Sequence, residues 1–211
     1  MALTSTSVQA SWQPPAFPNG PIVNYTLFQS SQIVYSGGHT IFTHIITGLT
    51  FWTEYSFRIQ ACTDRGCELS SAASVKTLES QPEEQGSPTV LALANDEGAH
   101  AGVQIAWTSP LLPNGDILFY ELYRRMVTIE DIGTSYSGLA LLYNDSKLDY
   151  IDTDSRLKPY TEYQYMVISG NKAGKAESVW QAVLTKEAAP EFLLPPTVED
   201  ITPTTVTVKL T

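Results

Sequence analysis

Few side chains in this sequence have types and spacings suited to chemistry. The only two cysteines, Cys62 and Cys67, fall in Ala61-Cys62-Thr63-Asp64-Arg65-Gly66-Cys67. They flank a short turn, so across a hairpin they can face each other. A disulfide clamping that hairpin is the favoured reading. The alternatives are two free thiols or a metal site, but two thiolates with no nearby third ligand do not close a zinc site. So short a loop gains only about 2 kcal/mol from a bridge, which would shape the loop more than hold the domain. A bridge would also imply an oxidising compartment.

Asp149, Asp152 and Asp154, with Asp145 nearby, make an acidic stretch. Calcium is one reading, but the stretch lacks the bend glycine and the distal glutamate of an EF-hand. A solvated acidic loop is the simpler expectation. His39, His44 and His100 are scattered away from any candidate nucleophile. There is no Gly-x-Ser-x-Gly, no phosphate-binding glycine loop and no His-Glu-x-x-His. The sequence therefore reads as non-enzymatic, with no cofactor and no metal. Asn24-Tyr25-Thr26 and Asn144-Asp145-Ser146 are glycosylation sequons, or else ordinary surface asparagines. Asp64-Arg65-Gly66 reverses the integrin tripeptide and reads as a tight turn.

The elements that would hold these residues show in the composition. The chain has 211 residues, 43% apolar and 16% charged. That is enough to build cores, and below the ~25% charge of an ordinary soluble protein. Thirteen Gly, 13 Pro and 11 Tyr point to many turns and aromatic-bearing strands. The net charge of −10 disfavours nucleic acid, because acidic surfaces repel phosphate. No apolar run approaches the ~20 residues of a membrane-spanning helix. Met1-Ala2-Leu3-Thr4-Ser5 carries no basic or apolar leader, so the chain is read as cytosolic or as a piece of something longer.

An internal repeat organises the chain. Trp12, Pro18-Asn19-Gly20, Ile22, Tyr25 and Leu27 recur 95 residues on as Trp107, Pro113-Asn114-Gly115, Ile117, Tyr120 and Leu122. Leu49, Tyr55, Gly66 and Thr77 recur 108 residues on as Leu157, Tyr163, Gly174 and Thr185. The second copy thus carries 13 extra residues, placed near 124–142 because Tyr35 and Tyr143 already follow the longer offset. Pro196-Thr197-Val198 echoes Pro88-Thr89-Val90 and begins a third copy; Leu210 stands where its Trp would be. The expected units are 1–78, short of most of its first strand; a linker 79–87; a complete copy 88–186; and 187–211, a linker and two strands. The first copy should expose a sheet edge. The polar, proline-bearing 79–87 linker should leave modest hinge freedom. Phe192 and Leu193 should stiffen the second joint.

Alternation over Val8/Ala10/Trp12, Tyr55/Phe57/Ile59, Val103/Ile105/Trp107 and Tyr163/Tyr165/Val167 marks strands. Asn-Gly pairs mark turns with positive φ. Short strands with a turn every 8–12 residues predict an all-β fold of tandem immunoglobulin-like antiparallel sandwiches. Trp12 and Trp107 should be central core residues. Tyr25, Leu49, Tyr120 and Leu157 should pack around them. Tyr55 and Tyr163 occupy tyrosine-corner positions, each with its hydroxyl on backbone just upstream.

Trp12, Tyr25, Leu49 and Tyr55, with Trp107, Tyr120, Leu157, Pro159, Thr161 and Tyr163, resemble the core signature of the fibronectin type III family. The resemblance covers nearly the whole chain and departs at Phe51, where the corner usually has proline. Ala61 to Cys67, combined with Trp12 to Gly20, is similar to the array of one large ectodomain protein of inner-ear hair cells and photoreceptors. The resemblance implies a non-enzymatic extracellular adhesion or scaffold segment. Its partners would be other extracellular or matrix proteins and neighbouring domains of the same chain, with no nucleic acid and no membrane contact. A receptor module binding through the 62–67 turn and the 124–142 insertion is the alternative. An intracellular scaffold array of the same family is a second.

Overall fold

A computed structural model describes residues 1–94, 101–130, 133–136, 138–190, 194–195, 197–201, 204 and 206–209. Every regular element among them is a strand. The first unit contains β1 (Ala2–Thr4), β2 (Ser7–Ser11), β3 (Asn24–Gln29), β4 (Gln32–Gly38), β5 (Thr43–Ile46), β6 (Glu54–Thr63), β7 (Gly66–Leu69) and β8 (Ala73–Lys76). Strands β1-β2-β5 form one antiparallel sheet; β4-β3-β6-β7, with β8 also on β6, form the other. Inward positions alternate with outward ones, so Val8, Trp12, Tyr25, Leu27, Ile46 and Phe57 meet between the layers.

The second unit repeats this plan with β9 (Thr89–Leu93), β10 (Gly102–Ala106), β11 (Phe119–Glu130), β12 (Gly133–Tyr136), β13 (Ala140–Asp145), β14 (Asp149–Asp152), β15 (Glu162–Gly170), β16 (Lys175–Glu177) and β17 (Gln181–Leu184). Its sheets are β14-β10-β9 and β12-β11-β15-β16, with β13 on β11 and β17 on β15. Val103, Ile105, Trp107, Tyr120, Leu122 and Tyr165 fill its core. The extra residues lengthen β11 and return as β12, so the insertion is a hairpin that extends the sheet. Beyond residue 196, β18 (Thr197–Ile201) pairs with β19 (Val206–Lys209) as a two-stranded sheet. Phe192, Leu193 and Leu210 lie outside the described residues.

The two tryptophans sit in matching surroundings. Trp12 stacks at 6.0 Å on Tyr25 and 5.7 Å on Tyr35. Trp107 stacks at 6.1 Å on Tyr120 and 5.8 Å on Tyr143. Each corner closes in the same way. The Thr50 N–H donates to the Tyr55 hydroxyl and the Lys158 N–H to the Tyr163 hydroxyl, both at 2.9 Å. Tyr55 is half-buried and Tyr163 buried, while Leu49 and Leu157 are buried beneath them. Phe51 leaves the first corner intact, because the hydroxyl bond does not involve that position.

Ala2 and Thr4 pair with Val8 and Ser7, and Thr4 Oγ1 lies 2.6 Å from Ser7 Oγ. Three residues form β1, against five in its counterpart β9.

Candidate functional site

At one end of the first sandwich, β6 and β7 place Cys62 opposite Cys67, and their sulfurs are bonded. Thr63 Oγ1 donates to the Gly66 carbonyl at 3.3 Å and accepts the Arg65 N–H at 3.2 Å. The Asp64-Arg65-Gly66 turn is therefore held from within. Beside it runs the Pro18-Asn19-Gly20 turn, with Asn19 at φ +54° as its left-handed residue. A cleft of about 480 Å³ lies between the two, lined by Phe17, Pro18, Arg65 and Cys67. Phe17 is 84% exposed there.

The second sandwich fixes the equivalent hairpin without sulfur. Gly170 pairs with Lys175 at the cysteine positions. The Phe119 ring lies over Gly170 so closely that a Cβ on that residue would overlap it. Lys175 Nζ donates to both Glu121 oxygens at 2.9 and 3.0 Å.

The acidic stretch is not a solvated loop. Asp149 and Asp145 are exposed, but Asp152 is 1% exposed. Arg124 Nη1 donates to Asp152 Oδ2 at 2.7 Å, and its Nη2 to Asp154 Oδ2 at 3.0 Å. The Tyr165 hydroxyl donates to Asp152 Oδ2 at 2.9 Å. Burial first, and then the Asp152 charge, push the Tyr165 phenol far up. Burial opposes the charge on Arg124, and the bonds to Asp152 and Asp154 more than offset it. Hydrogen bonds from Arg156, aided by Arg124, hold the Asp154 carboxyl well below the usual carboxylate range. The physical reason for the departure is parity. Arg124 occupies the inward register of β11 set by Tyr120 and Leu122, and a buried guanidinium requires buried carboxylate partners. Among the described residues no group of three His, Cys, Asp or Glu is placed to hold a metal ion. His44 stacks on Tyr35 at 4.6 Å, His39 is exposed, and His100 lies outside the described residues.

The sequons differ in setting. Asn24 is half-buried between β4 and β6, and Thr26 is buried. Asn144 and Ser146 are exposed at the end of edge strand β13. Nearby, the insertion hairpin is pinned by Arg125. Its guanidinium lies 3.9 Å from the Tyr136 ring centre and 4.2 Å from that of Trp180. It donates twice to Gln164 Oε1. The hairpin leaves Ile129 79% exposed.

The joint between the sandwiches departs from the expected hinge. The Leu78 N–H still donates to the Thr4 carbonyl of the first unit. The Ser80 N–H already donates to Asn114 of the second, at 2.9 Å. Asn171 Nδ2 donates to the Ser80 carbonyl at 2.7 Å and Asn114 Nδ2 to the Gln81 carbonyl at 3.0 Å. Glu83 bridges Leu112, and Gln85 Nε2 reaches the Thr108 carbonyl at 2.9 Å. Pro82 and Pro88 are fully buried. Residues 80–88 are thus a strap bonded to the second sandwich, and Glu79 alone separates two bonded units. The prolines hold the strap extended, and its backbone at Ser80, Gln81 and Glu83 and the Gln85 amide nitrogen find partners on the second sandwich, while Gln85 Oε1 is buried without one.

Three sets of residues escaped sequence reasoning. Arg124 was legible in principle from its inward parity. Thr77 and Thr185 each clamp a corner, accepting the N–H of Thr53 or Thr161 and donating to the carbonyl of Thr50 or Lys158. Their only sequence signal is the 108-residue repeat. Asn171 gave no signal.

Residues 1–77 match the model of the fibronectin type III domain. The chain is 37% identical to human usherin over 96% of its own length, and spans 4% of that protein. It is 30% identical to the cell adhesion molecule Dscam2 of Drosophila melanogaster over 84% of its length, covering 9% of that protein. A crystal structure of chicken CNTN1 FN1-FN3 domains superposes with a TM-score of 0.49 at 18% identity, over 95% of this chain and 69% of that one.

Proposed function

Since the chain is a tandem of fibronectin type III β-sandwiches similar to those of usherin, we propose that it is a non-enzymatic extracellular adhesion and scaffold segment. The finer reading places it in the ectodomain of an usherin-like cell-surface or basement-membrane protein, spacing neighbouring domains and offering loops to matrix proteins. The observation that carries this reading is the joint. One residue separates units that are each bonded to their own end of the connection. Such a joint sets the spacing and direction of successive domains, which is what a scaffold contributes. The Cys62–Cys67 bridge supports an oxidising compartment.

Spin labels at exposed positions of the two sandwiches test the joint. A single narrow inter-label distance is expected, and a broad distribution like that of a free linker would overturn the spacer reading. Thiol titration of the secreted, denatured, unreduced chain should find no free thiol. Two reactive thiols would move the chain to an intracellular scaffold. The exposed Ile129 on the pinned insertion hairpin favours a second reading, a receptor module. Alanine at Ile129 and Tyr136 that abolishes a partner while leaving the fold unchanged would select that reading.

A further inference from the structure

Charge is distributed unevenly along this chain. Residues 1–53 contain no Asp, Glu, Lys or Arg. Residues 1–78 hold Glu54, Asp64 and Glu68 against Arg58, Arg65 and Lys76, so the net charge of −10 lies wholly beyond them. Strands β1 to β5 all fall within the uncharged stretch. One wall of the first sandwich is therefore without charge. It is the side formed by β4 and β5, each the outer strand of its sheet. His44 of β5 stacks on Tyr35 of β4 at 4.6 Å, so the two edges run together. Ile33 on β4 is 64% exposed and Ile45 on β5 is 52% exposed, with Ile41 and Phe42 also exposed in the loop that joins the strands.

The β5 backbone is open on this side. The Phe42 carbonyl accepts the Trp12 N–H, while the Gln9 N–H turns away to the Met1 carbonyl. By the alternation of an antiparallel ladder, Thr43 and Ile45 then aim their N–H and C=O groups away from β2. Among the described residues β2 is the one strand that pairs with β5. No charge, proline or bulge blunts the edge. The second sandwich has the same wall and guards it. Leu141 stands 108 residues after Ile33, and Ile151 faces Gln104 as Ile45 faces Gln9. Both are 52% exposed, and the exposed Asp145, Lys147 and Asp149 are interleaved with them.

We propose that the uncharged β4–β5 wall is a docking surface for a second copy of this chain, joined β5 to β5 across a two-fold axis. Thr43 and Ile45 of one copy exchange backbone bonds with Ile45 and Thr43 of the other, so the β1-β2-β5 sheet continues through the axis as six strands. The apolar side chains of the two walls leave water together. Charge selects the occupant. Contact through residues beyond 78 brings acidic surfaces against each other, whereas at this wall neither copy has a charge to bury. Antiparallel strands run the two chains in opposite directions and carry their acidic second sandwiches to opposite ends. The contact is isologous, so it closes as a dimer.

Sedimentation velocity of the full chain over a range of concentrations tests the proposal, with hydrogen exchange on the same samples. The expected result is a monomer–dimer equilibrium in which the Thr43 and Ile45 amides exchange more slowly as the dimer forms. Higher salt should tighten the association, because it screens the acidic repulsion. Ile45→Lys should weaken dimerisation about tenfold or more. Ile151→Lys, at the matching place on the second sandwich, should leave it unchanged. A chain that stays monomeric overturns the proposal. So does a dimer that Ile45→Lys leaves as tight, one that Ile151→Lys weakens equally, or one whose two amides exchange at the monomer's rate. Association that salt weakens runs through charge pairs and overturns it as well. Both sandwiches of each variant should unfold as in the parent, which excludes misfolding as the cause.

Discussion

The two sandwiches solve the same two problems with different chemistry. At the loop end, the first ties β6 to β7 with Cys62–Cys67, while the second lays Phe119 over Gly170 and leaves Lys175 to Glu121. At the far end of the core, the first places Gln29, Ile46 and Phe57 where the second has Arg124, Asp152 and Tyr165. Meanwhile Trp12 and Trp107 keep their tyrosine neighbours, and both corners keep their hydroxyl bonds. A small aromatic frame therefore specifies the fold. The positions around it need only satisfy packing and polarity, by whatever pairing is present.

The largest test of that view is the polar core. Asp152→Ala should strip Arg124 of its buried partner and cost the second sandwich ~3–5 kcal/mol, read as a shift in its urea transition while the first transition stays in place. Rebuilding the cluster on the pattern of the first copy, with Arg124→Gln, Asp152→Ile and Tyr165→Phe together, should restore stability to at least the parent value. A triple variant as weak as Asp152→Ala would show that the two cores are not interchangeable. Next in size is Gly170→Ala, which drives a Cβ into the Phe119 ring and should cost ~1–3 kcal/mol. In a Phe119→Ala background that cost should largely vanish, as a double-mutant cycle would register.

Reducing Cys62–Cys67 should cost about 2 kcal/mol. Calorimetry should show only the first sandwich's transition falling. Tyr55→Phe and Tyr163→Phe should each cost ~1 kcal/mol, the buried Tyr163 more than the half-buried Tyr55. The smallest effect is pH dependence. Arg156 and Arg124 depress the folded-state pKa of Asp154. The resulting stability is present above the unfolded carboxylate value of ~4 and is lost as pH falls below it. An acid titration of thermal stability should therefore lower the second sandwich more than an Asp154→Asn variant of it.

Much of this frame was legible beforehand, because it rests on signals that repeat. Trp12 with Trp107 and Tyr55 with Tyr163 each have a doubled context, and the cysteine spacing permits only a few geometries. The Arg124 cluster was hidden because acidic residues at Asp149, Asp152 and Asp154 look alike until the strand register turns one inward. The strap was misread for a different reason. Its composition is that of a flexible linker, and only the asparagines of a distant loop turn it into bonded structure. Composition reports what a segment can do alone, and these contacts lie up to 91 residues away in sequence.

The single-residue joint has a mechanical consequence. When the array is pulled along its length there is no slack to take up between the sandwiches, so tension passes at once from Leu78 through Glu79 into the strap. Load then falls first on the Asn114 and Asn171 amides and on the Glu83–Leu112 bridge. Peeling the strap would lengthen the array by roughly 3 Å for each residue released before either core is touched, giving it an early, recoverable extension ahead of unfolding.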